Sequence, residues 1–194
     1  MNLYHYFEKS RGPFLTVSDL SDENAVSVFS DIQNTNPSLV PPDIKWFLTR
    51  RRELENTVRQ LFIKKGGEPK RRFPHYMTVE IADSMKAWYI EPEYLKIGID
   101  EFDLKTVSFT YGDMFPVFNP KLNDDSEYRF NVYRYDEITE IIKKYGYPQE
   151  TENIQNAPVQ HLLKYVEAHI WSDEIVEKYR YRWLSTNRNE EEMF

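Results

Sequence analysis

Residues 2–7, "NLYHYF", form an aromatic-rich run bounded by polar residues, the pattern of a short strand. "SRGPF" turns the chain, with Gly12-Pro13 as punctuation. Ser21 followed by Asp22 and Glu23 marks a helix start, and Val26, Phe29 and Ile32 recur at helical spacing behind it. Pro41-Pro42 opens a longer helix, predicted over 42–65. Its Ile44, Phe47, Leu54, Val58, Leu61 and Phe62 share a stripe, and Gly66-Gly67 stands at its end. The period then drops to two. "PHYMTVEIA" alternates loosely, "YLKIGI" puts Leu95, Ile97 and Ile99 on one face, and "TVSFTYG" does the same with Val107, Phe109 and Tyr111. "NPKLNDDSE" is a polar loop, "YDEITEIIKKYG" a short helix, and "YPQETENIQNAP" a long second loop. "LLKYVEAHIW" is the last strand and "SDEIVEKYRYRW" a closing helix.

The order is a strand, two helices, several strands, a helix, a strand and a helix. It lacks the regular alternation of doubly wound folds. The expectation is an α+β fold with a mostly antiparallel sheet and flanking helices, as one domain over 1–186 with a frayed acidic tail at 187–194.

A chain of 194 residues buries roughly 70% of its unfolded surface and needs no staples. The sequence has no cysteine, which excludes disulfides, thiolate metal sites and cysteine nucleophiles and fits a reducing cytoplasm. No secretory leader or membrane-spanning run is expected. Net charge is −7, yet between Arg50 and Arg72 nine Lys/Arg face three Glu. A mostly acidic protein repels phosphate backbones, so nucleic-acid binding through Arg50–Arg72 is not favoured, while a specific anionic ligand remains open.

Four places could carry chemistry. On the last strand Val166, Ala168 and Ile170 form an apolar face. Tyr165, Glu167, His169 and Trp171 form a mixed one, either the floor of a polar pocket or a solvated sheet surface. His5, on the first strand, is either a ligand contact or a satisfied core histidine. In "FTYGDMFPVF", Tyr111 and Asp113 either close a turn or project into a cleft. Arg51 lies beside the apolar stripe of the long helix. If it points inward it needs a carboxylate, a carbonyl or a phosphate; a solvated helix face with pairs such as Glu55–Arg59 is the plainer alternative. His161 and His169 lie eight apart with Glu167 between, but no zinc-helix spacing occurs, and no metal is expected. Serine-elbow and phosphate-loop motifs are absent.

The stretches "LYHYFEKSRGPFLT", "RRRELE", "PHYMTVE", "VSFTYGD" and "IWSDE" together resemble an uncharacterised family of small soluble proteins of Bacillus-like bacteria. "NLYHY" near the start and "YVEAHIWSDEI" near the end also resemble the first and last motifs of ADP-ribosyltransferase-like proteins. That resemblance implies NAD as substrate. It makes Glu167 the catalytic carboxylate and His5 a ribose contact, with Tyr111 stacked on nicotinamide and Arg51 on phosphate. The chain departs from the pattern where Tyr165 replaces the first acid of an E-x-E pair. The rival expectation is a non-enzymatic interaction module, a defence or regulatory protein whose aromatic loops bind a protein partner.

Overall fold

The computed structural model describes residues 1–35, 41–122, 125–150 and 163–191. Five antiparallel strands form one sheet: β1 (Asn2–Glu8), β2 (His75–Val79), β3 (Pro92–Gly98), β4 (Val107–Thr110) and β5 (Val166–Ile170). Their order is β3-β1-β2-β5-β4, so the first and last strands of the sequence are not neighbours; β2 separates them. The helices are α1 (Asp22–Thr35), α2 (Ile44–Lys64), the single turn α3 (Met114–Val117), α4 (Tyr135–Tyr145) and α5 (Glu174–Glu191). The fold is therefore α+β, with a five-stranded antiparallel sheet and flanking helices. Among the described residues no helix is long and apolar enough to cross a membrane.

Helix starts and ends follow local chemistry. Asp43 caps α2 by accepting from the Trp46 N–H at 2.9 Å. Glu137 reaches back to the Arg134 N–H at 2.8 Å, closing the first turn of α4. The single helical turn α3 lies in the "GDMFPVF" stretch whose sequence predicts a turn, ahead of the polar loop, and Asp113 caps it by accepting from the Phe115 N–H at 2.7 Å. Helix α5 extends to Glu191, and the last three residues lie outside the described ones. Most of the long loop before β5, and His161 with it, lies outside the described residues.

The register sorts side chains onto two faces. Leu3, Met77, Val79, Ile97, Val107, Phe109, Val166, Ala168 and Ile170 share one face and are all buried. Helix α5 packs there, with Trp183 edge-on to Phe7 at 5.3 Å. The opposite face carries Tyr76, Thr78, Ser108, Thr110, Glu167 and His169. Helix α2 covers it, reaching Tyr76 from Arg51 and Glu55. Helix α1 packs on the outside of α2, through Phe29 against Phe47 at 5.2 Å. Strand β5 is thus buried on both faces, and the solvated-face alternative for Glu167 and His169 does not hold.

His5 belongs to the α5 face, opposite Glu167. Its ring stacks on Phe14 at 4.0 Å. Nε2 accepts from the Phe14 N–H at 2.7 Å, so Nδ1 carries the hydrogen given to the Tyr76 carbonyl at 2.9 Å. Both nitrogens are spent, and only the neutral ring fits both bonds. These bonds hold Phe14 at φ 59, a left-handed conformation that costs a bulky residue energy. Burial lowers the His5 pKa from 6.5 to about 4 and also lowers that of His75. The unfolded chain therefore takes protons that the folded one refuses, so stability is full above pH 6.5 and is lost as pH falls toward 4. His5 alone accounts for roughly 3 kcal/mol of that loss. Denaturant midpoints measured across this range should fall, and the slope should shrink in His5→Gln. An unchanged slope would contradict the neutral, buried assignment.

Candidate active site

Two polar rows cross the sheet beneath α2. Thr78, Glu167 and Thr110 are lateral partners in one row; Tyr76, His169 and Ser108 are partners in the next. Apart from the half-buried Tyr76, all are buried, with Ser108, Thr110 and His169 fully inaccessible. Polar side chains buried this densely are retained at a cost unless each finds a partner.

Most of the partners are explicit. The Trp171 indole N–H donates to Ser108 Oγ at 2.9 Å. Ser108 Oγ lies 3.3 Å from His169 Nδ1, and His169 Nε2 lies 2.9 Å from Glu167 Oε1. Because Ser108 already accepts from Trp171, its own hydrogen is free for Nδ1. The Nε2 of His169 is then the N–H donor to Glu167. The chain Trp171–Ser108–His169–Glu167 fixes both tautomer and carboxylate rotamer. Glu167 keeps a small exposed fraction, 7% of its side chain, at the end of this chain.

A second carboxylate faces it. Gly112 takes φ 117, and a Cβ there would collide with Leu163, so only glycine makes the turn that presents Asp113. Tyr165 donates its hydroxyl to Asp113 Oδ2 at 3.2 Å. Burial, and then the charge of Glu167, push the Asp113 carboxyl up to about 6. Burial also raises the Tyr165 and Tyr76 hydroxyls.

The third component is cationic. Arg51 stacks its guanidinium over the Tyr76 ring at 4.5 Å. Its Nε lies 3.2 Å from Glu55 Oε1 and 3.2 Å from Ser18 Oγ. Glu55, fully buried in the middle of the apolar stripe of α2, also accepts from Ser18 Oγ at 2.7 Å and Tyr76 Oη at 2.6 Å. Arg51 is thus an inward arginine with a carboxylate partner. Glu55 pairs with it and not with Arg59. Against the cost of burial, Tyr76, Glu55, Glu167 and Asp113 raise the Arg51 pKa, which puts the guanidinium within electrostatic reach of both Glu167 and Asp113.

Of the residues expected to form a site, Glu167 and Arg51 come together. His5 lies on the other face of the sheet, consumed by backbone bonds. Tyr111 is buried among Tyr128 and Tyr145, with its hydroxyl on the Gly146 carbonyl at 2.9 Å, so it has no ring face to offer a ligand. Asp113 does reach the site, but as the cap of α3. Sequence reading missed Glu55, Tyr76, Ser108 and Thr110. The available signal was that β2, β4 and β5 each carry polar residues at one parity, and that Arg51 and Glu55 fall on the stripe continued by Val58 and Phe62.

No protein-family model, curated protein or solved structure matches this chain.

Proposed function

We propose that the polar face of the sheet beneath α2, around Glu167, is a substrate cleft that binds NAD and cleaves its nicotinamide–ribose bond, passing ADP-ribose to an acceptor or to water. The observation that carries this reading is the buried, braced Glu167 facing a second carboxylate, Asp113, that titrates near neutrality. Two carboxylates in unlike environments divide the labour of acid–base chemistry. As the C–N bond breaks, its electron pair leaves with nicotinamide and positive charge builds on the ribose. Glu167, held by His169, stabilises that charge without reorganising. Asp113, ionised above about pH 6, takes the proton of the incoming acceptor hydroxyl or amine. In this reading the Arg51 guanidinium meets the substrate's phosphates.

The His5 ribose contact implied by the resemblance is not part of this reading, nor is the Tyr111 stack. Tyr76 and the half-buried Tyr89, each within electrostatic reach of Arg51, are the aromatic groups at the cleft. The cysteine-free sequence suits a reducing cytoplasm. The test is a pH profile of nicotinamide release. Rate should climb through about pH 6 as Asp113 loses its proton, and Asp113→Asn should abolish that limb. A flat profile, or one that survives Asp113→Asn, would remove Asp113 from the reaction.

One observation favours an interaction module instead. Ile81, Trp88, Ile90 and Tyr94, between β2 and the middle of β3, are all more than two-fifths exposed and offer an apolar surface to a protein partner. In that case Glu167→Gln would leave partner binding unchanged.

A further inference from the structure

The basic segment splits in two. Arg51 turns to Tyr76 and Glu55 beneath α2, while Arg52, Asn56 and Arg59 form the next stripe of the same helix. Facing that stripe is the segment 70–73 leading into β2. Together they line a cavity of about 380 Å³ whose side chains are Arg52, Asn56, Arg59, Lys70, Arg71, Arg72 and Phe73. It holds five cations and no carboxylate.

The cavity is braced from behind. Arg59 donates Nε to the Arg71 carbonyl at 3.0 Å and Nη2 to the Pro69 carbonyl at 3.1 Å. The Lys70 and Arg71 N–H groups both donate to the Trp171 carbonyl at 2.9 Å. Arg52 and Arg72 lie over Phe73 at 6.0 and 4.9 Å, which orients both guanidinium planes. The surrounding acids only partly offset these charges. Asp22 pairs with Arg52, Asp19 and Asp173 with Arg71, and Glu174 approaches Lys70 at 4.0 Å. Among the described residues no carboxylate pairs with Arg59 or Arg72. The Arg52 Nε hydrogen is buried and has no acceptor among the described residues.

We propose that this cavity is a binding site for a small anion carrying two or more phosphate groups, separate from the Glu167 cleft. Its volume suits a nucleotide-sized ligand rather than a duplex, whose backbone needs an extended basic strip. The net charge of −7 disfavours long polyanions while leaving a concave basic site able to focus a small one. Planar guanidinium groups suit bidentate recognition of phosphate oxygens.

The probe is inorganic pyrophosphate, titrated calorimetrically into the full chain at low salt, beside a single-stranded oligonucleotide. Saturable pyrophosphate binding that weakens with salt is expected. The exposed double variant Lys70→Glu/Arg72→Glu should weaken it about tenfold or more, with the melting temperature unchanged. Glu167→Gln should bind pyrophosphate as the native chain does, so failure of the NAD reading leaves this result standing. No binding, affinity unchanged in the double variant, or oligonucleotide binding without pyrophosphate binding would each overturn the proposal.

Discussion

Glu167→Gln is expected to lower nicotinamide release by roughly 10²–10³-fold while leaving the melting temperature nearly unchanged. The two halves of that result come from different atoms. The glutamine carbonyl can still accept from His169 Nε2, now 2.9 Å from Oε1, so the chain Trp171–Ser108–His169 keeps its terminal acceptor. The negative charge is what disappears, and it is the charge that opposes the developing ribosyl cation. Glu167→Ala is a different experiment. It strands the His169 donor in a buried site and should cost about 1–3 kcal/mol of stability, so lost activity there would mix two causes. If Glu167→Gln retains more than about a tenth of native activity, Glu167 is a structural acceptor and the reaction, if any, lies elsewhere.

Glu55→Ala should be the most destabilising single substitution in α2, by about 3–5 kcal/mol, against a total of about 5–15 for a domain. One oxygen of Glu55 accepts from Ser18 Oγ and Tyr76 Oη and pairs with the Arg51 guanidinium. Removing it leaves a guanidinium and two hydroxyls facing each other in a buried space. The double variant Glu55→Ala/Arg51→Met should recover part of the loss, because the uncompensated charge goes with its partner. Urea midpoints of the two single variants and the double variant give the coupling energy directly. A coupling below about 0.5 kcal/mol would mean that Arg51 finds another partner and that Glu55 does not anchor it.

The sequence made the elements legible where one force dominates. The stripe of α2, the period-two pattern of β3 and β4, and the Ser/Asp/Glu start of α1 are local signals, and each lies where its pattern puts it. What stayed hidden depended on strand order. His5 and Glu167 sit on strands that read alike, but one residue of parity across β1-β2-β5 puts them on opposite sides of the sheet. A face carrying Tyr76, Thr78, Ser108, Thr110, Glu167 and His169 reads as solvated, because antiparallel sheets commonly wet one side. Only the crossing of α2 buries it. Arg51 and Glu55 carry the one trace of that crossing in sequence, a charge pair set into an apolar stripe. Tyr111 failed for the opposite reason: its strand-end position invites a ligand role, while the packing of Tyr128 and Tyr145 closes it off.

Amide chemical-shift mapping with NAD asks most directly whether the braced carboxylate cleft is the substrate site. Titration of NAD into the labelled protein is expected to give saturable shifts in 51–55, 76–78, 110–113 and 165–169, with Leu3, His5, Phe7 and Phe14, whose side chains lie across the sheet, unmoved. Shifts confined to the His5 side, or none at millimolar NAD, would contradict the cleft assignment and the nicotinamide chemistry built on it.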